Sequence, residues 1–361
     1  MTINLLRYLS ALLLMSYPFL ATALELNGAG RRIPAPIFSA WGDSYNKLRP
    51  GITVKYQAVS ATEGFKQLTA GTTDFGETDM PLSKEELDKK GLVQFPYMFS
   101  AITPIYNLPN TSGQILLTGK ILGDIFLGKI IKWDDDAIAA LNPRIKLPAH
   151  NIQVVHLVPE RGGTYNLSTY LSKVNSDWAS KVGAGVTLNW PVGMASENLY
   201  EMAAHVKKTP YSIGYSENSY ARKNQLSQIQ LQNRAGKFVS PHLGSIEETV
   251  KDIKWNAANN FNEDLIDSSA PGAWPITSAS YYLIKKTSDN IERRHALLSF
   301  IGWGMSQGDL DVTSLDFLPV PRSLISAIRN SWNDTPLALE GASGVNTKQA
   351  KALREKRAPS P

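Results

Sequence analysis

The sequence predicts an α/β protein built around a sheet, with ligand sites at the carboxyl ends of its strands. Three observations carry this. Apolar, β-branched runs alternate with stretches of helical spacing in a β-α-β-α rhythm between Leu24 and Tyr106. The 361 residues are enough for two domains with well-buried cores. The composition, 43% hydrophobic and 19% charged, is that of an ordinary soluble protein rather than a disordered or fibrous one.

The first segment reads as a targeting signal. Arg7 supplies a short positive region, Leu9 to Leu20 an apolar run, and Ala21-Thr22-Ala23 a small-residue cleavage pattern. The apolar run is short for a membrane span. Residues 1–23 are therefore expected to be a signal peptide cleaved after about Ala23, which releases a soluble exported protein. The absence of cysteine excludes disulfides and a lipidated N-terminal Cys, and this fits a bacterial periplasm. The net charge of +5 sits at the ends of the chain. Without Arg7 and the cluster Lys348, Lys351, Arg354, Glu355, Lys356 and Arg357, the body holds 31 basic and 31 acidic residues. A basic nucleic-acid-binding face is therefore not expected.

Leu24 to Gly28 reads as a strand running into Gly28-Ala29-Gly30. Ile37, Trp41, Tyr45 and Leu48 share one helical face, and Pro50-Gly51 ends that helix. Ile52 to Val59 is a second strand, followed by Ser60-Ala61-Thr62-Glu63-Gly64 and a helix through Leu68. Ser83 with Glu86 three residues later marks a helix start. Leu92 to Tyr106 reads as two short extended segments, and Leu108 to Gly113 marks a change of unit. Helical runs follow from Thr118 to Leu127 and after Trp133-Asp134. Ile152 to Val158 is a buried strand that enters Pro159-Glu160-Arg161-Gly162-Gly163-Thr164 and a helix from Tyr165. That strand, Gly-Gly turn and helix start would aim free backbone N–H groups and the positive helix end at a ligand. The alternative is an ordinary strand-to-helix turn. Further helices are expected over Glu197 to Val206, Ser245 to Asn260 and Ile291 to Met305, with strands over Tyr211 to Tyr215 and Ser280 to Ile284. Residues 333–361 read as a disordered basic tail.

Motifs for catalysis are missing. The five histidines are scattered without H-x-H or H-E-x-x-H spacing, and there is no G-x-S-x-G elbow. Gly113 to Lys120 fails as a phosphate loop because its glycines are one residue too far apart and Ile121 stands where Ser or Thr is required. Gly28-Ala29-Gly30 fails as a dinucleotide fingerprint because Ile33 takes the third glycine's place. Asp134-Asp135-Asp136 reads as an acidic helix start in preference to a cation site.

Several blocks in a fixed order resemble one family. They are Gly28-Ala29-Gly30 with Pro34-Ala35-Pro36, Asp74-Phe75-Gly76 with Asp79, Leu122 to Ile130 with Trp133-Asp134-Asp135, and Ala273-Trp274-Pro275-Ile276-Thr277-Ser278. The chain, from Leu26 to about Trp332, is similar to the periplasmic phosphate-binding component of the high-affinity bacterial phosphate ABC transporter. The resemblance implies a two-lobed α/β binding protein (the type II solute-binding fold) with a hinge between lobes that close over one phosphate or related small oxyanion. Lobe 1 would comprise 24–101 plus 274–332, and lobe 2 would comprise 102–273. It further implies a monomer that performs no catalysis, needs no cofactor or metal and binds no nucleic acid. Its partner would be a permease and ATPase complex in the inner membrane.

The family holds its oxyanion with backbone N–H groups, Ser and Thr hydroxyls, one Arg, and one Asp that accepts the proton phosphate carries. Asp79 matches that Asp. Other positions depart from the pattern. Arg31-Arg32-Ile33 stand where Ala-Thr-Phe is usual, Ala61 replaces a serine before Thr62, and Glu63 replaces a glycine. Leu157 takes the place of the ligand-binding Arg, and Pro159 that of the Asp orienting it. The turn reads Pro159 to Gly163 where the family has roughly Asp-Gly-Ser-Gly-Thr, and Ala195 to Asn198 replaces a Gly-rich turn. The candidate ligand-binding set is thus Arg31, Arg32, Ile33, Ala61, Thr62, Asp79, Arg161, Gly162, Gly163 and Thr164. Two explanations stay open. Either the cation has moved to Arg161 or Arg32, or the arginines pair with Glu63, Glu160 and Asp79 and the pocket is retuned or lost. The second would make the chain a sensing or interaction module.

Overall fold

The structure, a computed structural model, describes residues 24–159 and 162–332. The expected signal peptide, the expected tail, and Glu160 with Arg161 lie outside the described residues. The strands are β1 (Leu24–Gly30), β2 (Ile52–Ala58), β3 (Phe75–Thr78), β4 (Leu92–Tyr106), β5 (Leu116–Leu117), β6 (Gln153–Leu157) and β7 (Met194–Ser196). After them come β8 (Ser212–Glu217), β9 (Ser227–Gln228), β10 (Gln230–Gln232), β11 (Phe238–Val239), β12 (Thr277–Lys285) and β13 (Leu318–Pro319). Ten of them form one sheet along the path β2-β1-β3-β12-β4-β8-β6-β7, with β9 and β13 paired to β4. A small second sheet has the order β11-β10-β5.

β4 joins the two halves of this sheet. Sequence reading expected two extended segments between Leu92 and Tyr106; the structure has one strand that changes partner. Leu92 to Ala101 lies antiparallel to β12, and Ile102 to Tyr106 lies antiparallel to β8. Proline cannot donate to a ladder, so Pro96 and Pro104 make the run look interrupted. Pro96 is accommodated because the register with β12 shifts between Ser280 and Tyr281. The return crossing lies beside this point: Ile102 N–H donates to the Ile276 carbonyl at 2.9 Å, and the Trp274 indole donates to the Ile102 carbonyl at 3.0 Å.

In the β1 half, the helix Ala35–Leu48 buries Ile37, Trp41 and Tyr45, as its spacing predicts. Phe38, Phe75, Tyr97 and Tyr282 pack ring against ring beneath it, and such pairs add about 0.5–1.5 kcal/mol each beyond area burial. The Ser83–Glu86 capping box forms, and Asp135 caps the helix Asp136–Leu141 by accepting from Ala137 N–H at 2.9 Å. The acidic triplet is thus a helix start. The helix expected to reach Asn260 spans only Leu243–Asp252. Asn256 then caps a separate 3₁₀ turn, Ala257–Asn259, and Asn260 adopts a left-handed conformation at φ 57°. Asparagine favours these local bonds over helix continuation.

Candidate functional site

The loops that follow β1, β2 and β3 face the starts of two helices, Gly162–Val174 after β6 and Leu199–Lys208 after β7. Together they enclose a cleft of about 810 Å³ at the carboxyl ends of these strands. Of the candidate residues, Arg31, Arg32, Ile33, Ala61, Asp79, Gly162 and Gly163 line it. Thr62 and Thr164 do not, and Arg161 lies outside the described residues. Thr164 is buried with its Oγ1 2.9 Å from the Tyr215 hydroxyl, which also accepts from Leu157 N–H at 3.2 Å. Leu157, which the resemblance would have as an arginine, is a buried apolar wall of the cleft.

Arg31 is the best-anchored side chain. Its backbone N–H and Nε donate to Glu77 Oε2 at 3.0 and 3.2 Å, and Nη2 donates to Glu77 Oε1 and, at 2.7 Å, to Ser280 Oγ. Nη1 stands 3.0 Å from Asp79 Oδ2. Tyr97 adds a hydroxyl donor to Glu77 Oε1 at 3.2 Å, and Tyr56 donates to the Arg31 carbonyl at 2.8 Å. The Glu77 side chain is fully buried, and those of Arg31 and Asp79 are 16% and 12% exposed. Burial alone would lower the Arg31 pKa, but Asp79 and Glu77 outweigh it and hold the guanidinium protonated more firmly than usual. Burial pushes the Glu77 carboxyl above the ordinary carboxylate range, and Arg31 pulls it partly back. One guanidinium between two carboxylates is supported twice, while burial keeps Glu77 above its usual range despite Arg31.

The expected pairing of arginine with Asp79 is present, but through Arg31, and Glu77 is the larger partner. Glu63 instead accepts from Gln67 within its own helix at 3.2 Å. Arg32 is exposed in the cleft, and its guanidinium has no hydrogen-bond or ion-pair partner among the described residues. Residue-level reading missed Glu77, although a charged residue inside the buried run Phe75–Thr78 was a usable signal. Leu199 and Tyr200, which also line the cleft, carry no signal beyond helical spacing.

Gly162 lets the halves meet. A Cβ there would lie 2.0 Å from Asp79 Oδ1, so the carboxylate rests directly against the backbone at the start of the helix. At the second helix start, Asn198 Oδ1 accepts from Tyr200 and Glu201 N–H, both at 3.0 Å, so those donors are already used. Ser60 Oγ likewise accepts from Glu63 N–H at 3.1 Å and caps the helix Ala61–Ala70.

A family model described as "PBP superfamily domain" matches residues 20–307. The "Phosphate-binding protein PstS" of Haemophilus influenzae is 40% identical over 322 residues, covering 89% of this chain and 96% of that protein. The protein of the same name from Methanocaldococcus jannaschii is 35% identical over 311 residues, with 80% of each chain covered. Among solved structures, the phosphate-binding protein from Stenotrophomonas maltophilia superposes with a TM-score of 0.64 at 17% identity, covering 85% of this chain and 94% of that one. A high affinity periplasmic phosphate-binding protein (PfluDING) bound with phosphate gives 0.66 at 15% identity, covering 85% and 93%. At these identities the structures establish the α/β fold alone.

Proposed function

Because the chain belongs to the PstS-type phosphate-binding proteins of the PBP superfamily, we propose that it is the exported solute-binding protein of an ABC importer, binding inorganic phosphate or a related small oxyanion. The supporting observation is the cleft at the strand ends, where the guanidinium of Arg32, without a hydrogen-bond or ion-pair partner among the described residues, shares walls with the helix start at Gly162–Gly163. A bidentate arginine and a helix N-terminus both favour a tetrahedral anion. In this reading Arg32 has taken over as anchoring cation, with Arg161 as a second candidate. Arg31 is a positioning residue that fixes Asp79, and Ile33 and Ala61 shape the wall. Thr164, turned to Tyr215, and Thr62 stand outside the cleft lining and do not face the ligand.

The two lobes we assign, 24–101 plus 274–332 and 102–273, exchange partners on β4 at Ala101–Ile102, which suits a hinge there. The lobes close on the ligand, and the closed form delivers it to a membrane permease and its ATPase. The protein works as a monomer in the periplasm, after cleavage near Ala23, and carries out no reaction. Calorimetry with phosphate, arsenate and sulfate on refolded protein tests this. One phosphate bound per chain is expected, and no heat with any of the three would refute it. The Arg31–Asp79 pair favours a second reading, a retuned cleft that serves sensing, and the same titration separates the two.

A further inference from the structure

We propose that this cleft takes an oxyanion bearing an organic substituent, a phosphate monoester or a phosphonate, and holds it more tightly than bare phosphate. The proposal rests on the phosphate reading above and narrows its substrate class. Size comes first. On a scale of about 30 Å³ per water-sized group, inorganic phosphate needs no more than about 100 Å³, whereas the cleft offers about 810 Å³. One end of the cleft is already pinned across the two sides. Asp79 already lies against the Gly162 backbone, and Arg31 ties Asp79 to Glu77 at the same end.

The walls are the second observation. Ile33, Val59, Leu157, Leu199 and Tyr200 present carbon to the cleft. Leu199 stands beside the helix start, since a Cβ on Gly163 would be 3.4 Å from Leu199 Cδ2. An anion held at Gly162–Gly163 therefore has Leu199 and Leu157 as its neighbours. Among the described residues on that side, Thr164 is turned to Tyr215 and Asn198 caps its own helix, while Glu197 and Glu201 bring carboxylates rather than donors. Four oxygens of bare phosphate would press some of their charge against carbon, which is costly. A substituted phosphoryl group has fewer oxygens to satisfy and an apolar part to place there.

The test is calorimetry of the mature chain with inorganic phosphate, ethylphosphonate, phenylphosphonate and phenyl phosphate at one pH. The aryl ligands are expected to bind at least about tenfold more tightly than phosphate, the scale on which apolar pockets discriminate. Leu199→Asn and, as a second variant, Ile33→Ser should each shrink that ratio at least about fivefold, with thermal melts confirming that both fold. Comparing phenyl phosphate with phenylphosphonate separates esters from phosphonates as the source. If phosphate binds and the aryl ligands bind equally or less tightly, the proposal is overturned while the phosphate reading stands. If none binds, both fail.

Discussion

Arg31 and Glu77 explain each other, and neither is intelligible alone. A fully buried glutamate on a sheet strand is costly unless its charge is met, and Arg31 meets it from the loop after β1. Glu77→Ala is expected to cost about 3–5 kcal/mol, because Arg31 would keep only Asp79. Adding Arg31→Ala should cost much less than the sum of the single changes, and urea melts of the double-mutant cycle check this; strict additivity would contradict the pairing. Glu217 makes a different prediction. It is buried with hydrogen bonds from Ser100, Ser219 and the Tyr220 N–H and no ion-pair cation among the described residues, and burial raises its pKa. The folded state then holds a proton that the unfolded state has released, so stability falls as pH rises from about 4.3, the ordinary Glu value, through the raised value. Glu217→Gln should flatten that fall in urea melts between about pH 4 and 8; parallel curves for the two proteins would contradict it. Sequence reading singled out Asp79 with Arg31, Arg32 and Arg161 but could not say which arginine was paired. Adjacent residues leaving a strand point to different sides, and a sequence does not show which side holds the acid.

At the level of elements, the strand before Pro159 and the helix after it were legible, because a β-branched run followed by Gly-Gly and helical spacing has few other readings, but the helix begins at Gly162 and not at Tyr165. What the pattern could not show is that Gly162 faces a carboxylate from the opposite half. Gly162→Ala would bring a Cβ within 2.0 Å of Asp79 Oδ1, so Asp79 or the helix must shift. The change should destabilise by about 1–3 kcal/mol, the usual cost of overpacking. In an Asp79→Ala background the same substitution should be close to neutral, since the clash is gone and alanine is the better helix former. Equal costs in both backgrounds, measured by urea melts, would show that the contact does not govern this position. β4 was misread as two segments for an equally physical reason. Its two prolines imitate a break, and only the partner change at Ala101–Ile102 shows why the strand serves both halves.

For the whole molecule, the α/β class and most of the long elements followed from hydrophobic periodicity, and the family followed from several motif blocks in order. The ligand pocket was the least legible part, because its residues come from five separate strand ends that only the folded sheet brings together. If the cleft binds phosphate between two halves, ligand should stabilise the folded chain. A phosphate concentration about 100-fold above Kd would add about 2.7 kcal/mol, visible as a raised Tm. The most direct test of the central claim is phosphate titration by calorimetry on the wild type, Arg32→Ala and Arg32→Glu. With Arg32 as the anchoring cation, Arg32→Ala should weaken binding by about 10–100-fold, the scale of about 1.5–3 kcal/mol for a hydrogen bond to a charged group. Arg32→Glu should abolish it. Unchanged affinity in both variants would contradict the account and move the anion site away from this arginine.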